Sequence, residues 1–465
     1  MNSPFSCCDV SPRALTRRDL LKTVSAGFGW LAFQGLAATA AAAESKSPMA
    51  RKTPHFTARA KRVIFLAMQG GPAHMDTFDF KPKLTADDGK PGLSRGGLSL
   101  YGSPFSFAQH GQSGLHISEL FPNVARHADK LCLLRGMNTD IPNHAQAFVQ
   151  LHTGSAQFVR PSTGAWMLYG LGSENENLPG FITISPPLAL GGAQNYGSAF
   201  LPAIYQGTRI GAARADVSKA SMDNLRNADL PTALQRQQLD LVQSMNREFL
   251  AASGNPEVEG VIESFELAFR MQSEVPKVMD FSKETAATLK QYGIGDGITD
   301  GFGKQCLMAR RFAEAGVRYI EVCHAGWDQH KNLKTAITRN CTATDLPISG
   351  LLTDLAQRGL LKDTLVMWGG EFGRTPDGRQ PDGRDHNAKG YTMWLAGGGV
   401  RGGMSYGATD DYGYKAVENP THIHDLHATI LAALGLDHEK LTYRYAGRDF
   451  RLTDVKGNVV KAIFA

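Results

Sequence analysis

The sequence has few cysteines, little excess charge and, beyond its first 43 residues, no long apolar run. Its 465 residues include six cysteines and no CxxC pair, which excludes a disulfide scaffold. The 49 basic residues nearly balance the 44 acidic ones, so the formal net charge is only +5. Such a balance is not typical of a nucleic-acid-binding protein, and no nucleic-acid partner is expected.

One catalytic signature is missing from the chain, because it has no P-loop. The Gly397-Gly398-Gly399 run after YTMWLA is interpreted as a turn and not as a phosphate cradle. Glycine, in contrast, is abundant at 50 residues, and without a Gly-X-Y period this indicates many tight turns. Hydrophobic residues make up 42% and charged residues 20%, which is the composition of a globular protein with a buried core.

The N-terminal segment has the pattern of an export signal. Arg17 and Arg18 precede a moderately apolar run, Thr23 to Ala43, that ends in small residues. This order predicts a cleaved twin-arginine signal over residues 1–43 and therefore a periplasmic or secreted protein. The alternative is an uncleaved membrane anchor, because the run is about long enough to span a bilayer. No later segment predicts a membrane span, and residues 44–61 are interpreted as a tether.

Four cysteines remain after residue 43. In an oxidising compartment Cys323 and Cys341 could form a bridge, and two buried thiols are the alternative.

From residue 62 to 465 short apolar runs alternate with segments of helical spacing. Alternation of this kind predicts an α/β fold, a three-layer sandwich with a mostly parallel central sheet. The stretch from about 230 to 292 has helical spacing throughout and is interpreted as a helical insertion or lid. The predicted strands are RVIFLAM (62–68), LCLLRGM (131–137), FITI (181–184), RYIEV (318–322), TLVMW (364–368) and YTMWLAG (391–397). The predicted helices outside the insertion are 123–129, 303–315, 345–358 and 424–434.

Polar residues cluster next to the predicted strands. In such folds ligands bind beyond the carboxyl ends of the strands, so residues at these positions are candidates for a functional site. A single Asp or His there is more often a helix cap or a loop hydrogen-bonder, but several at the carboxyl ends of neighbouring strands favour a cation. The proposed ligand core is Asp328, His330, Glu371 and His386, with Asp76, Asp385 and His424 as additional or supporting groups.

A mixture of Asp, Glu and His suits zinc, manganese, calcium or magnesium as the cofactor. Arg374 follows Glu371 by three residues in a glycine-rich turn, and its guanidinium is expected to hold an anionic transition state.

Several blocks resemble a known family. FLAMQGGPAHMDTFDFKPKL, the Trp-Asp-x-His of 327–330, WGGEFGRTP (368–376) and GRDHNAKGYTMWLAGGGVRGG (383–403) resemble the family called domain of unknown function 1501. The resemblance extends from about residue 62 to the C-terminus, and it implies twin-arginine export. That family is in turn similar in layout to the alkaline phosphatase and sulfatase superfamily, which implies a metal-dependent ester hydrolase.

The departures from the superfamily pattern concern three positions. Counting back from Thr153-Gly154, the nucleophile position falls at His144 instead of Cys, Ser or Thr. The acidic ligand expected after the first strand falls at Gln69 or Gly70, and Glu371-Phe372 replaces an Asp-Asn or Asp-His pair. A formylglycine sulfatase mechanism is therefore not expected.

The leading hypothesis is an exported metal-dependent hydrolase of a phosphate or sulfate ester. It uses a metal-bound water, or His144 as nucleophile or general acid/base, and its substrate is a small anionic ester or a sulfated or phosphorylated glycan. The alternative is a non-catalytic binding or assembly protein of the cell envelope with an eroded site. A third reading, a purely structural domain, predicts that the His and Asp side chains do not converge.

Overall fold

A computed structural model describes residues 47–465 except 94–96, 214, 216–221, 223–224, 226–228, 255 and 379–381. The chain divides into two units, Met1–Ser47 and Pro48–Ala465. The predicted export signal at 1–43 lies outside the described residues. Everything below concerns the second unit.

Strands and helices alternate through most of this unit. The strands of the described residues are β1 (Arg62–Gln69), β2 (Phe107–His110), β3 (Leu115–Ser118), β4 (Leu131–Asn138), β5 (Phe181–Ile184), β6 (Thr208–Ile210), β7 (Tyr319–Ala325), β8 (Thr364–Gly369), β9 (Gly373–Gly378), β10 (Arg384–Asn387), β11 (Tyr391–Ala396), β12 (Met404–Tyr406), β13 (Ala408–Thr409), β14 (Ala416–Glu418), β15 (Thr421–His422), β16 (Tyr443–Tyr445) and β17 (Arg448–Phe450). The α-helices of the same residues are α1 (His74–Thr77), α2 (Pro82–Ala86), α3 (His144–Thr153), α4 (Thr163–Leu171), α5 (Thr232–Ser253), α6 (Pro256–Met279), α7 (Ala286–Gln291), α8 (Asp300–Glu314), α9 (Leu333–Gln357) and α10 (Ile423–Ala433). Short 3₁₀ helices cover Val124–Lys130, Gly192–Tyr196, Ala203–Tyr205, Leu361–Asp363 and Lys461–Ile463.

The main sheet is mostly parallel, as predicted. Its strand order is β12-β4-β11-β8-β1-β7-β5-β6, and β15 also pairs with β4. β1 lies at the centre and is parallel to both neighbours, β7 and β8. Only β11 among the described strands of this sheet runs against the rest, since it is antiparallel to β4 and to β8.

Helices cover both faces of the sheet and complete the predicted three layers. All eight residues of β1 are buried, and alternate side chains point to opposite faces. Ile64, Leu66 and Met68 pack in the core beneath α8 and α9. Val63 and Phe65 pack in the other core, beneath α3, α4 and α10.

Most predicted elements are present, with different lengths. The six predicted strands correspond to β1, β4, β5, β7, β8 and β11, and the helices predicted at 303–315 and 424–434 correspond to α8 and α10. The helix predicted at 345–358 begins at Leu333 instead, and the one predicted at 123–129 is a 3₁₀ helix, Val124–Lys130.

The predicted helical insertion forms α5, α6 and α7. Arg236 of α5 makes a bidentate contact with Glu266 of α6, with N–O distances of 2.9 and 3.0 Å, and Gln243 donates to the Ile262 carbonyl. These contacts join α5 and α6 into a hairpin.

Residues 48–61, within the predicted tether, run along the domain. Lys52 donates its backbone N–H to Leu171, and Arg59 and Ala60 both donate to Ala433. Cys132, Cys306, Cys323 and Cys341 are buried free thiols, so Cys323 and Cys341 do not form a bridge in this structure. Within the described residues no helix is both long and apolar enough to cross a membrane.

The carboxyl ends of β1, β4, β7 and β8 meet at one edge of the sheet, because these strands are parallel or related through β11. The antiparallel β11 begins at this same edge. The segments that contain His144, Asp328, Glu371 and His386 therefore meet there.

Buried imidazoles make the stability of this fold sensitive to acid. Burial lowers the pKa of His427 to about 3, helped by nearby His424, from an ordinary value of 6.5. The unfolded chain takes up this proton first, so the stabilisation is complete above about pH 6.5 and is lost as the pH falls toward the folded-state pKa.

We expect wild-type protein to lose about 1 kcal/mol more unfolding free energy than His427→Gln when the pH falls from about 7.5 to about 5.5. The glutamine can still donate to the Leu151 carbonyl, which accepts from His427 Nε2 at 2.8 Å. Urea unfolding at both pH values measures the difference, and His110→Gln, at a less buried position of β2, should behave as wild type. An identical pH dependence for wild type and His427→Gln would contradict this account.

Candidate metal centre

Four side chains from three segments converge at the carboxyl edge of the sheet. One ligand atom from each of His144, Asp328, His330 and His386 lies within 4.8 Å of all the others. Asp328 Oδ1 is 3.0 Å from His330 Nε2, 3.1 Å from His144 Nε2 and 3.5 Å from His386 Nε2. We call these four residues the His-Asp cluster. Three imidazole nitrogens and one carboxylate oxygen make a suitable donor set for a four-coordinate metal.

Glycine at position 70 allows the loops after β1 and β7 to approach each other. Gly70 has a positive φ of 115°, and a Cβ at this position would lie 2.4 Å from the backbone nitrogen of Asp328. A side chain here would therefore displace the backbone that carries Asp328 and His330.

Glu371 lies beside the cluster and orients His144. Its carboxylate is fully buried and accepts from the Gly70 backbone N–H, at 3.0 Å to Oε1 and 3.2 Å to Oε2. Oε1 also lies 2.6 Å from His144 Nδ1. His144 Nδ1 donates to this oxygen, so the ring directs Nε2 into the cluster.

His386 is oriented in the same way by a backbone carbonyl. Its Nδ1 donates to the Pro142 carbonyl at 2.8 Å, which leaves the Nε2 lone pair facing the cluster. Phe372 packs against both imidazoles, with ring centroids 4.7 Å from His144 and 4.8 Å from His386. In the sequence Phe372 was only a departure from a family motif.

Asp385 lies next to the cluster but is not one of its four members. Its Oδ1 lies 3.6 Å from His330 Nδ1 and accepts from the His386 backbone N–H at 3.0 Å. The carboxylate is thus placed to receive a proton carried on His330 Nδ1.

Charge complementarity controls the ionisation of the cluster. Burial lowers the pKa of His144, but hydrogen bonds to Asp328 and Glu371 outweigh it and raise this pKa to about 9. Burial would raise the pKa of Asp328, yet hydrogen bonds from His144, His386 and Arg374 hold it well below its usual range. Burial and the nearby Arg374 cation lower the pKa of His330. The carboxylate is therefore ionised, as a metal ligand must be.

Arg374 has a different position from the expected one. Its side chain is fully buried and donates to the carbonyls of Gly70, Gly71 at 2.9 Å and Trp327 at 3.3 Å. It also donates to Asp328 Oδ1 at 2.7 Å. With these contacts and no exposed surface, the guanidinium holds the two loops and the Asp328 carboxylate, and its side chain is not open to solvent.

Two other expected ligands lie outside the cluster. Asp76 is fully buried and makes a bidentate pair with Arg384, with distances of 2.7 and 3.0 Å, so both of its oxygens are already bound. His424 lines a separate cleft with Arg448, Arg451 and Lys456.

The chain is similar to known proteins in two ways. The model of a family described as "Protein of unknown function (DUF1501)" matches residues 60–464, so the chain belongs to that family. This confirms the resemblance drawn from the motifs. No curated protein sequence matches the chain.

Solved structures with a similar arrangement include three bacterial proteins. Alkaline phosphatase from the Antarctic bacterium TAB5 is 11% identical, with 76% of this chain and 95% of that chain covered and a TM-score of 0.29. The PsFucS1 sulfatase from Pseudoalteromonas sp. is 14% identical, with 82% and 68% covered and a TM-score of 0.36. The lipoteichoic acid synthase LtaP from Listeria monocytogenes is 9% identical, with 87% and 78% covered and a TM-score of 0.34. Likeness at these scores carries no argument about the reaction, which has to be inferred from the site.

The ligand assignment predicts which substitutions remove a bound metal. The protein should bind about one divalent ion per cluster, and Asp328→Ala/His386→Ala should bind none, since two of its donors are gone. His424→Ala should keep the metal, because His424 lies in another cleft. Metal analysis after loading and desalting measures this; equal metal in wild type and the double variant would exclude the site.

The hydrogen bond from His144 to Glu371 predicts a smaller effect at a residue that is not a ligand. Glu371→Gln should weaken metal binding by about 10- to 100-fold, because the carboxylate fixes the imidazole that supplies Nε2. Titration against a competing chelator gives the affinity, with the exposed Glu439→Gln as control. Unchanged affinity in Glu371→Gln would mean that Glu371 does not orient a ligand.

Proposed function

We propose that this member of the DUF1501 family is a metal-dependent hydrolase of phosphate or sulfate esters. The observation that carries the proposal is the convergence of three imidazole Nε2 atoms on Asp328 Oδ1 at the open carboxyl edge of the sheet. About half of the Asp328 side-chain surface is exposed, at 47%, so the cluster can be reached from solvent.

The protons of the cluster support a cation at its centre. His330 Nε2 and His386 Nε2 lie 2.8 Å apart, so without a cation one of them must donate to the other. His386 already donates from Nδ1 to Pro142, which makes His330 Nε2 the donor and leaves its Nδ1 without a hydrogen. That Nδ1 is then a buried atom without a hydrogen-bond partner.

A cation on the Nε2 atoms removes this mismatch. His330 would then carry its proton on Nδ1, facing Asp385 Oδ1 at 3.6 Å. His144 Nε2, which lies 3.1 Å from Asp328 Oδ1, would give up its proton and bind the cation through its lone pair. The residues present therefore fit a divalent metal, bound by the four members of the His-Asp cluster.

The metal, when bound, supplies a Lewis acid that polarises an ester oxygen and lowers the pKa of a bound water. The protein orients and neutralises the site. Glu371 and Pro142 fix two imidazoles, Arg374 fixes the Asp328 carboxylate, and Phe372 packs against the rings.

The donor set favours one group of metals. Zinc and manganese accept imidazole nitrogen readily, whereas calcium and magnesium prefer sites built from oxygen. Among the four metals considered, zinc and manganese are therefore the stronger candidates.

An open cleft of about 920 Å³ adjoins the cluster and provides room for a substrate. His386 lines it, together with Asn387, Lys389, Lys415 and Tyr412. Lys389 and Lys415 line the cleft together with Asp140, Asp410 and Asp411, so the lining by itself does not select an anion. A phosphate or sulfate group is the proposed reacting group because a cation bound at the cluster would polarise its oxygen.

His144 can act either as a metal ligand or as a general base or nucleophile, but not as both. A nitrogen that binds a metal cannot at the same time accept a proton or attack a substrate. The Glu371 contact at Nδ1 suits both a ligand and a general base, because in each case Nε2 carries the reactive lone pair.

The rival proposal is a non-catalytic binding or assembly protein of the cell envelope. Gln69 stands at the end of β1, where it or Gly70 occupies the position at which the resemblance to the superfamily implies an acidic ligand, and its Nε2 is buried without a partner. This residue favours an eroded site.

For the cellular location we propose twin-arginine export to the periplasm or beyond. Arg17, Arg18 and the apolar run to Ala43 support it. A reporter fused after residue 43 should reach the periplasm, and Arg17→Lys/Arg18→Lys should keep it in the cytoplasm.

Turnover measurements test the hydrolase proposal. The metal-free mature protein is loaded with zinc, manganese, calcium or magnesium and assayed with aryl phosphates, phosphodiesters and aryl sulfates. We expect turnover with at least one ester, lost in Asp328→Ala because the cation loses a ligand, and kept in Arg339→Gln, an exposed control on α9.

The variant His144→Ala distinguishes the two possible roles of His144. Loss of both metal and turnover makes His144 a ligand, whereas loss of turnover with metal retained makes it a catalytic base or nucleophile. Metal binding without turnover of any ester would favour the binding-protein proposal.

A further inference from the structure

A second, basic cleft lies beside the His-Asp cluster, on the other side of the segment 139–142. Its volume is about 430 Å³, and its cationic lining residues are Arg160, Arg448, Arg451 and Lys456. Two carboxylates, Asp140 and Asp454, also line it, and Glu439 pairs with Arg451 at 3.2 Å, so one positive charge remains in excess. We call it the basic cleft.

Arg160 supplies a positive charge that no acid of the described residues neutralises through an ion pair. Its guanidinium lies 4.5 Å from the ring centre of Phe450 and 5.1 Å from that of Phe158. The guanidinium donates a hydrogen bond to the Val159 carbonyl at 3.5 Å. Stacking on two rings holds the guanidinium plane while leaving its N–H groups available to an anion.

His424 provides a second, independent feature of this cleft. The side chain is 5% exposed, lines the cleft, and has a buried Nδ1 without a hydrogen-bond partner. Leaving a buried polar atom unpaired costs free energy unless a ligand or water satisfies it. The residue that the motifs placed among the metal ligands thus belongs to a different binding feature.

The two clefts share one wall. Asp140 lines both of them, and Pro142, two residues further on, accepts from the cluster residue His386. One molecule can therefore place an ester at the cluster and another group in the basic cleft.

We infer that the basic cleft binds a second anionic group of the substrate, which is then a polyanionic oligomer carrying sulfate or phosphate groups on neighbouring units. This inference rests on the proposed function for the identity of the reacting ester, but the anion site itself does not require the metal. The unpaired Arg160 provides the attraction, and the exposed ring of Phe158 provides an apolar surface at the rim.

Binding of defined polyanions to metal-free full-length mature protein tests the inference. The probes are a heparin-derived hexasaccharide, which is sulfated, inorganic tripolyphosphate, and the uncharged maltohexaose. We expect one or both anionic probes to bind by calorimetry, more weakly as salt is added, and maltohexaose not to bind. The probe that binds more tightly identifies sulfate or phosphate as the preferred group.

The variants separate the basic cleft from general electrostatic attraction. Arg160→Gln/Lys456→Gln should weaken binding of the anionic probe by about tenfold, because two charge-assisted contacts are lost. Lys334→Gln/Arg339→Gln removes the same charge from the exposed side of α9 and should change the affinity less than about twofold. Thermal melting of both variants shows whether they are folded.

Equal losses in the two double variants, or no binding of either anion to wild type, would overturn the inference. The outcome is independent of the proposed reaction. If the protein hydrolyses no ester, Arg160→Gln/Lys456→Gln should still bind the anionic probe more weakly than wild type. If the basic cleft binds no anion, hydrolysis of aryl esters is still expected.

Discussion

A single buried guanidinium holds together the loops on which the site depends. Arg374 of β9 donates to carbonyls in the loop after β1 and in the loop after β7, and to the carboxylate of Asp328. Removing a full positive charge from water is costly, and burial indeed lowers the pKa of Arg374. The carbonyls and the ionised Asp328 offset this cost, so the loops and the charge are held in place together.

That arrangement explains why the cluster forms at this point. Parallel strands bring their carboxyl ends to one edge, and the loops after them carry His144, Asp328, His330 and His386. Three imidazoles near one carboxylate oxygen would otherwise compete for protons. Glu371, Pro142 and Asp385 each face an outer nitrogen, which leaves the inner nitrogens directed at a common centre.

The same edge carries a second charged surface. The segment 139–142 separates the cluster from the basic cleft, and it contacts both through Asp140 and Pro142. The charges are distributed unequally: the cluster contains a carboxylate among imidazoles, whereas the basic cleft has an excess of arginine and lysine. A cation and an anionic group would therefore be attracted to neighbouring but different positions.

The sequence by itself determined the fold class, the strands of the central sheet and most members of the cluster. Apolar runs of strand length alternate with helical spacing, and this pattern depends only on local residue order. It placed Asp328, His330 and His386 after or before strands at the carboxyl edge, and the structure brings them together with His144. The family motifs were continuous blocks and could be recognised in the same way.

Only the tertiary structure decided what each of these side chains does. Glu371 was expected to be a ligand and His144 a catalyst, but the 2.6 Å contact between them directs His144 Nε2 into the cluster and leaves Glu371 behind it. Asp76 pairs with Arg384, which lies hundreds of residues further along the chain. His424 lines the basic cleft beside side chains of other elements, to which sequence spacing does not relate it. Spacing specifies which edge a side chain reaches, whereas the role of an individual nitrogen or oxygen depends on the partner that packs against it from another segment.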